Sequence, residues 1–284
     1  MNPVWYCIMQ GEQVDLFKSI LLGILQGLSE FLPVSSSGHL VIAEYLLDFN
    51  IGGLAFEVFV HLGTLVAVLL VFRKDISRLI LAVPDIFRLP SGKLSRERRE
   101  FALLAIYIAI GSLPAALIGL LLKDTIERSF ESHLLALVML FFTGIIVWSS
   151  RYTREKGREL SGYRALLIGI AQAFAILPGV SRSGSTIVTG LWLGLPRHQT
   201  ARFSFLLSVP VIFGAGVLKM KDVVQQPLPE TEIFYIICAT IAAAISGYFA
   251  IIWLLNVIKK QKLEWFGVYC ITVSIIGLIF YFWS

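Results

Sequence analysis

The sequence predicts an all-α polytopic membrane protein, an inverted-topology repeat with six full transmembrane helices and two re-entrant helix-loop-helix hairpins. Of the 284 residues, 57% are hydrophobic and only 15% are charged. Ordinary soluble domains carry about 25% charged residues. The apolar residues also form blocks long enough to cross a hydrocarbon core of about 30 Å. The lipid bilayer is therefore the expected surrounding of this chain.

Six apolar stretches are long enough, or nearly so, to span a bilayer. They cover residues 56–72, 101–122, 134–150, 203–218, 233–255 and 265–283. Two further regions, 15–47 and 161–195, are apolar but are interrupted by the clusters FLPVSSSGH and ILPGVSRSGST. Because Pro and Gly break helices, we expect each region to form two half-helices joined by a loop.

The charged residues predict an orientation rather than a nucleic-acid partner, although the formal net charge is +5. Basic residues concentrate in the connections 73–100, 151–164 and 256–262, which are therefore expected in the cytoplasm. The connections 123–133 and 222–232 are comparatively acidic and are expected outside. With this orientation, the two interrupted regions enter the membrane from opposite faces and can meet near its midplane.

An internal repeat supports this arrangement within a single membrane domain, 1–284, made of two inverted repeats at about 14–150 and 160–284. A shift of 146 residues superposes five identical pairs: Gly23 and Gly169, Gln26 and Gln172, Ser35 and Ser181, Ser37 and Ser183, and Gly38 and Gly184. Inverted repeats with broken helices are a known construction for a polar site at the midplane. The prolines Pro33 and Pro178 are one position out of step.

The serine clusters at the two interruptions predict an anion site. Each cluster precedes a half-helix, and the free N–H groups and positive dipole end of a helix N-terminus attract anions. Arg182 lies in the second cluster, where an unpaired guanidinium at membrane depth would be costly. Its partner is either a phosphate or, as an ion pair within the membrane, Glu30. The candidate phosphate-binding hydroxyls are Ser35, Ser37, Ser181, Ser183 and Thr186.

Gln26 and Glu30 are four residues apart and share one face of the first half-helix. A carboxylate beside bound phosphates predicts a divalent cation, Mg²⁺ or Ca²⁺, held weakly and completed by substrate. The alternative is that Glu30 caps or orients the serine loop. Gln26 is also a candidate substrate-binding residue.

His39 follows the first serine cluster and is the predicted general base or acid. The alternative is a buried histidine with a purely structural hydrogen bond. Ser36 aligns with Arg182 in the repeat and is the preferred nucleophile over its two serine neighbours. His61 and Glu57 are interpreted as supporting or helix-packing groups.

The segments QGLSEFLPVSSSGH at 26–39 and LPGVSRSGST at 177–186 resemble the two signature regions of the bacterial undecaprenyl-diphosphate phosphatase family, of the bacitracin-resistance type. The likeness covers nearly the whole chain. It implies hydrolysis of undecaprenyl diphosphate to the monophosphate and inorganic phosphate, which recycles the carrier lipid for cell-wall synthesis and gives bacitracin resistance. It also implies a divalent metal and a cell-membrane site open to the outer face.

The resemblance assigns roles to residues of this chain. The acidic motif falls on Gln26 and Glu30, the nucleophile region on Ser35 and Ser36 with His39, and the phosphate-binding motif on Ser181, Arg182, Ser183 and Thr186. Some members have Glu where this chain has Gln26, so a metal site with two carboxylates is not implied here. A homodimer is compatible with the sequence.

Two other functions compete with the lipid diphosphatase. A transporter or lipid flippase is compatible with inverted repeats and broken helices, but a carrier has no evident use for serines beside a His and an Arg. A type-2 phosphatidic acid phosphatase uses similar short motifs, but it places a His where this chain has Val188.

Overall fold

The computed structural model of the protein describes residues 3–49, 51, 53–130, 132–225 and 228–283. Within these ranges the chain forms twelve α-helices and two short 3₁₀ helices and no strand, which confirms the predicted all-α class. The helices are α1 (Pro3–Phe31), α2 (Ser36–Leu47), α3 (Gly53–Val71), α4 (Arg73–Ala82), α5 (Arg96–Leu121), α6 (Lys123–Phe130), α7 (His133–Trp148), α8 (Gly162–Phe174), α9 (Arg182–Trp192), α10 (Arg197–Gln225), α11 (Glu230–Lys259) and α12 (Glu264–Trp283). The 3₁₀ helices are Pro84–Ser91 and Ser149–Tyr152.

The long helices coincide with the predicted spans. Among the described residues, α5, α7, α10, α11 and α12 are long and apolar enough to cross a membrane. A sixth span results when α3 and α4 are taken together across the 84° bend between them. Leu121 on α5 is 78% exposed and Phe280 on α12 is 71% exposed. Such large apolar side chains on the outer faces suit lipid rather than water, and the chain is a multi-pass membrane protein.

Both interrupted regions contain the predicted break. Residues 32–35 separate α1 from α2, and residues 175–181 separate α8 from α9. Proline has no N–H to donate and clashes with the preceding turn, so Pro33 and Pro178 fall at the two breaks. Helix α1 starts at Pro3, well before the predicted start at residue 15.

Glycines allow the first half of each hairpin to pack closely on a long helix. Helix α1 packs on α11, and α8 packs on α5. A Cβ at Gly23 would overlap the backbone of Ala239 on α11, and a Cβ at Gly169 would overlap the backbone of Gly111 on α5. The two glycines are one of the pairs superposed by the 146-residue shift. The inverted topology and its orientation stay predictions, and residues 131, 226 and 227 of the predicted external connections lie outside the described ranges.

The predicted connection 73–100 is itself largely folded. It contains α4 and a 3₁₀ helix, which ion pairs fasten to α5 and α10. Arg98 donates to both carboxylate oxygens of Asp85, at 2.7 Å and 2.8 Å, and Arg202 on α10 pairs with Asp75 on α4. The charged residues of α4 interrupt its apolar pattern, so apolar stretches alone do not predict this helix.

We predict that Gly169→Ala destabilises the protein by about 1 to 3 kcal/mol, because the added methyl group would force α8 away from α5. The measurement is the thermal unfolding midpoint in detergent. Gly119→Ala on α5 is the matched control, since a Cβ there meets nothing within 4 Å. Equal midpoints for the two variants would contradict the close packing of α8 on α5.

Candidate active site

Serine caps begin the second half of each hairpin. Ser35 Oγ accepts a hydrogen bond from Gly38 N at 3.3 Å, and Ser181 Oγ accepts one from Gly184 N at 3.1 Å. Ser35 has a positive φ of 67°, which is unfavourable for a residue other than glycine. Such strain persists only where the surrounding contacts enforce it, and it is concentrated at functional sites.

The two break loops bind each other. Ser37 Oγ accepts from Gly179 N of the second loop at 3.4 Å, and Ser183 Oγ donates to Leu32 O of the first loop at 3.0 Å. These two serines also lie near the capping serines of their own loops, at 3.4 Å for Ser37 and 3.3 Å for Ser183. The structure therefore brings all four predicted binding serines, Ser35, Ser37, Ser181 and Ser183, into one interface.

Side chains from α7 and α12 hold the loop carbonyls. Thr143 Oγ1 donates to Gly179 O at 2.8 Å and accepts from Ser181 N at 3.0 Å. Cys270 Sγ lies 3.6 Å from Pro33 O. Positions 33 and 179 are 146 residues apart, so equivalent carbonyls of the two loops each receive a buried side-chain donor. Buried peptide groups are thus satisfied without helix or strand.

A buried ion pair joins the two hairpins. Arg182 Nη2 lies 2.7 Å from Glu30 Oε1, with side-chain exposures of 13% and 7%. The ion pair that the sequence left as an alternative to phosphate binding is thus present. Arg182 Nη1 is also buried but has no hydrogen-bond partner among the described residues. The guanidinium retains a donor for an additional acceptor.

Three side chains lie around Oε2, the second carboxylate oxygen of Glu30. Ser36 Oγ donates to Glu30 Oε2 at 2.6 Å, and Gln26 Nε2 donates to the same atom at 3.0 Å. His61 Nε2 on α3 lies 3.6 Å from it. The preferred nucleophile, Ser36, is therefore hydrogen-bonded to a carboxylate rather than to the predicted base His39.

His39 makes contacts of a different kind. Its Nδ1 lies 2.8 Å from Ser35 O, and its Nε2 lies 2.9 Å from Tyr269 Oη. A carbonyl oxygen only accepts, so Nδ1 carries a proton, and in the neutral ring Nε2 accepts from Tyr269 Oη. The rings of His39 and Tyr269 are stacked, with centroids 5.6 Å apart. The general-base role of His39 stays a prediction, and in this geometry it supports the first loop.

Thr186 is fully buried and hydrogen-bonded within the protein. Its Oγ1 donates to Arg182 O at 2.9 Å and lies 2.6 Å from Ser204 Oγ on α10. The predicted phosphate donor Thr186 thus fixes the start of α9 to α10. Its phosphate contact stays a prediction.

Three residues near the site had no strong signal in the sequence. Thr143, Tyr269 and Cys270 lie in long apolar helices, where a single polar residue is usually attributed to helix packing. The sequence predicts His61 to be a supporting or helix-packing group, although an ionisable residue inside a transmembrane segment generally indicates function. Only the three-dimensional packing of α3, α7 and α12 reveals their positions.

A divalent cation has a partial set of ligands here. Among the described residues, no group of three His, Cys, Asp or Glu side chains is arranged to hold a metal. Gln26, however, contacts Glu30 through Nε2, and its Oε1 is buried without a partner in the described part of the chain. One carboxylate and one amide oxygen fit a weak site for Mg²⁺ or Ca²⁺, which typically keeps waters and takes phosphate oxygens.

Comparisons with known proteins agree with the motifs. The family described as bacitracin resistance protein BacA matches residues 19–276. An undecaprenyl-diphosphatase of Halothermothrix orenii is 42% identical over 94% of this chain and 98% of its own length. Proteins of the same name from Methanobrevibacter smithii and Christiangramia forsetii are 41% and 39% identical, over 93% and 94% of this chain and 96% and 98% of their own lengths.

We predict that Thr143→Val destabilises the protein by about 1 to 3 kcal/mol, because Gly179 O and Ser181 N lose a buried partner. Hydrogen exchange of the peptide covering residues 175–181 should accelerate, and the thermal midpoint should fall. Thr240→Val is the matched control, because the Thr240 hydroxyl donates to Ile236 O in its own helix. Unchanged hydrogen exchange of this peptide in Thr143→Val would show that the hydrogen bonds of Thr143 do not stabilise the second loop.

Proposed function

Because the chain belongs to the bacitracin resistance protein BacA family, we propose that it is an undecaprenyl-diphosphatase that removes the terminal phosphate from its lipid substrate. The substrate and activity follow the names of its relatives. One observation supports the site: Arg182 Nη1 is buried without a partner among the described residues, and Arg182 pairs with Glu30, the acceptor of the Ser36 hydrogen bond. A guanidinium donor, a hydroxyl and a carboxylate in contact are the groups that phosphoryl transfer requires.

Arg182 binds the terminal phosphate in this proposal. Its planar guanidinium offers donors in a fork that matches two phosphate oxygens. Before substrate arrives, Glu30 neutralises the arginine at 2.7 Å. Oxygen atoms of the substrate phosphate then accept hydrogen bonds from Arg182 Nη1. The N-terminal ends of α2 and α9 add backbone N–H groups and positive dipole ends around the same anion.

Ser36 attacks and Glu30 accepts the proton. The Oγ–H bond of Ser36 points to Glu30 Oε2 at 2.6 Å, so the carboxylate takes the proton as Oγ bonds to the terminal phosphorus. The bond from that phosphorus to the bridging oxygen breaks, and undecaprenyl monophosphate leaves with the electron pair. Water then hydrolyses the phosphoserine, and Glu30 passes its proton to solvent.

The remaining predicted residues position these groups. His39, braced by Tyr269 at 2.9 Å, fixes Ser35 O and therefore the turn that presents Ser36. Gln26 orients the carboxylate through its bond to Glu30 Oε2 at 3.0 Å. A divalent cation, Mg²⁺ or Ca²⁺, would be held by Glu30 and Gln26 Oε1, and when bound it supplies positive charge to the phosphates.

The basic connections support an orientation. We place the protein in the cell membrane with the connections 73–100 and 151–164 in the cytoplasm, and the family resemblance implies a site open to the outer face. The bilayer and the lipid are its expected partners. A homodimer stays a prediction.

Arg182→Ala should lower kcat/KM for undecaprenyl diphosphate by roughly 10³-fold, in line with other arginines that stabilise phosphoryl transfer. Arg182→Lys should recover part of this loss, because a point charge replaces the bidentate fork. The assay is phosphate release from the purified protein in detergent with Mg²⁺ or Ca²⁺. Arg154→Ala, an exposed arginine in a connection, is the control and should be unaffected. A parent protein that binds the lipid without releasing phosphate would refute hydrolysis and favour transport.

Ser36→Ala and Glu30→Gln should each lower activity by roughly 10³-fold or more, because they remove the nucleophile and its proton acceptor. Tyr269→Phe should lower activity by only about 10-fold, since it removes a support of His39. Acid quenching with substrate labelled in the terminal phosphate should trap labelled protein in the parent but not in Ser36→Ala. Labelling that persists in Ser36→Ala would assign the nucleophile elsewhere.

A further inference from the structure

The tautomer of His61 is fixed by its own helix. Nδ1 lies 2.7 Å from Glu57 O, and because a carbonyl only accepts, Nδ1 carries the proton. In the neutral ring, the other nitrogen, Nε2, presents a lone pair toward Glu30 Oε2 at 3.6 Å. Two acceptor atoms of buried or half-buried groups therefore face each other.

This arrangement leaves a gap for a positive species. A separation of 3.6 Å is too long for a direct hydrogen bond. Gln26 lies beside the same carboxylate oxygen: its Nε2 contacts Glu30 Oε2, and its Oε1 is buried without a hydrogen-bond partner among the described residues. Gln26 is 0% exposed. Glu30 Oε2 already accepts hydrogen bonds from Ser36 and Gln26, but a buried amide oxygen without a donor is costly unless something binds it.

We propose that His61 Nε2 is a ligand of the divalent cation, together with Glu30 Oε2 and Gln26 Oε1. This inference rests on the proposed function and changes the composition of its cation site. Two atoms bound at about 2.1 Å to one ion lie roughly 3.0 to 3.6 Å apart for angles between 90° and 120°. The observed gap falls within this range. Glu30 Oε1 stays paired with Arg182, so the one carboxylate contacts both the guanidinium and the cation.

An imidazole ligand changes the metal that the site prefers. Mg²⁺ and Ca²⁺ bind oxygen almost exclusively, whereas imidazole suits first-row transition metals. A carboxylate at position 26 would favour Mg²⁺ and Ca²⁺, but this chain has the neutral Gln26 there. In the proposed site, His61 contributes a nitrogen ligand in place of a second carboxylate oxygen. The site should therefore bind Co²⁺ and Mn²⁺ more tightly than Mg²⁺ or Ca²⁺.

The test uses Mn²⁺ added to the purified full-length chain in detergent. Pulsed electron paramagnetic resonance should detect ¹⁴N modulation from one imidazole in the parent. His61→Gln keeps a polar side chain at this position but lacks the imidazole, so Mn²⁺ should still bind, without ¹⁴N modulation. Since loss of even an outer-sphere partner costs about 10- to 100-fold in metal affinity, we expect at least about 10-fold weaker Mn²⁺ binding.

Two controls separate a ligand from a structural residue. His198→Gln removes an exposed histidine at the start of α10 and should leave the ¹⁴N signal unchanged. In competition, Co²⁺ should displace Mn²⁺ from the parent at much lower concentration than Mg²⁺ does, and His61→Gln should reduce that difference by about 10-fold. A variant that merely misfolds would lose Mn²⁺ altogether rather than shift its metal preference.

Three results would overturn the inference: no Mn²⁺ bound to the parent, bound Mn²⁺ without ¹⁴N modulation, or modulation that survives in His61→Gln. The second result would instead identify His61 as a protonated partner of Glu30. Phosphate release measured on the same samples keeps the two proposals apart. Hydrolysis without ¹⁴N modulation contradicts only the His61 ligand, whereas ¹⁴N modulation without hydrolysis contradicts only the proposed activity.

Discussion

The structure depends on the ion pair between Glu30 and Arg182, 2.7 Å apart and almost fully buried. Either charge alone at membrane depth would be strongly unfavourable. Because the two residues come from different hairpins, neither hairpin can place its charge without the other. The pair thus fixes the two halves of the chain against each other and neutralises the buried guanidinium.

The same constraint applies to the peptide groups of the breaks. Backbone that leaves a helix inside a membrane must find partners in the protein, and here each loop supplies them to the other through Ser37 and Ser183. Thr143 and Cys270 satisfy equivalent carbonyls from outside. A loop held from both sides can maintain Ser35 at φ 67°, and Ser36 follows directly from that turn.

Sequence reasoning recovered the helices and breaks because these depend on local properties: apolar length, proline and serine caps. It also found Glu30 and Arg182, since buried charges are few and conspicuous. For Ser36 the preferred partner was the predicted base His39, whereas the observed contact with Glu30 agrees with the alternative in which Glu30 orients the serine loop. Proximity along the chain favoured His39, but the direction of a side chain depends on helix packing, and His39 faces Tyr269. Apolar stretches do not predict helix α4, because it is charged and is stabilised by ion pairs with residues distant in sequence, such as Arg202.

The chemistry is asymmetric although the scaffold is repeated. The 146-residue shift matches the caps Ser35 and Ser181 but sets Ile176 against Glu30 and Arg182 against Ser36. One half therefore supplies the carboxylate and hydroxyl, and the other supplies the guanidinium. Gln172 illustrates the difference: it is buried like its counterpart Gln26, yet neither amide atom has a partner among the described residues. The two loops contact each other, and the opposite charges of Glu30 and Arg182 meet there although these residues stand at non-equivalent positions of the repeat.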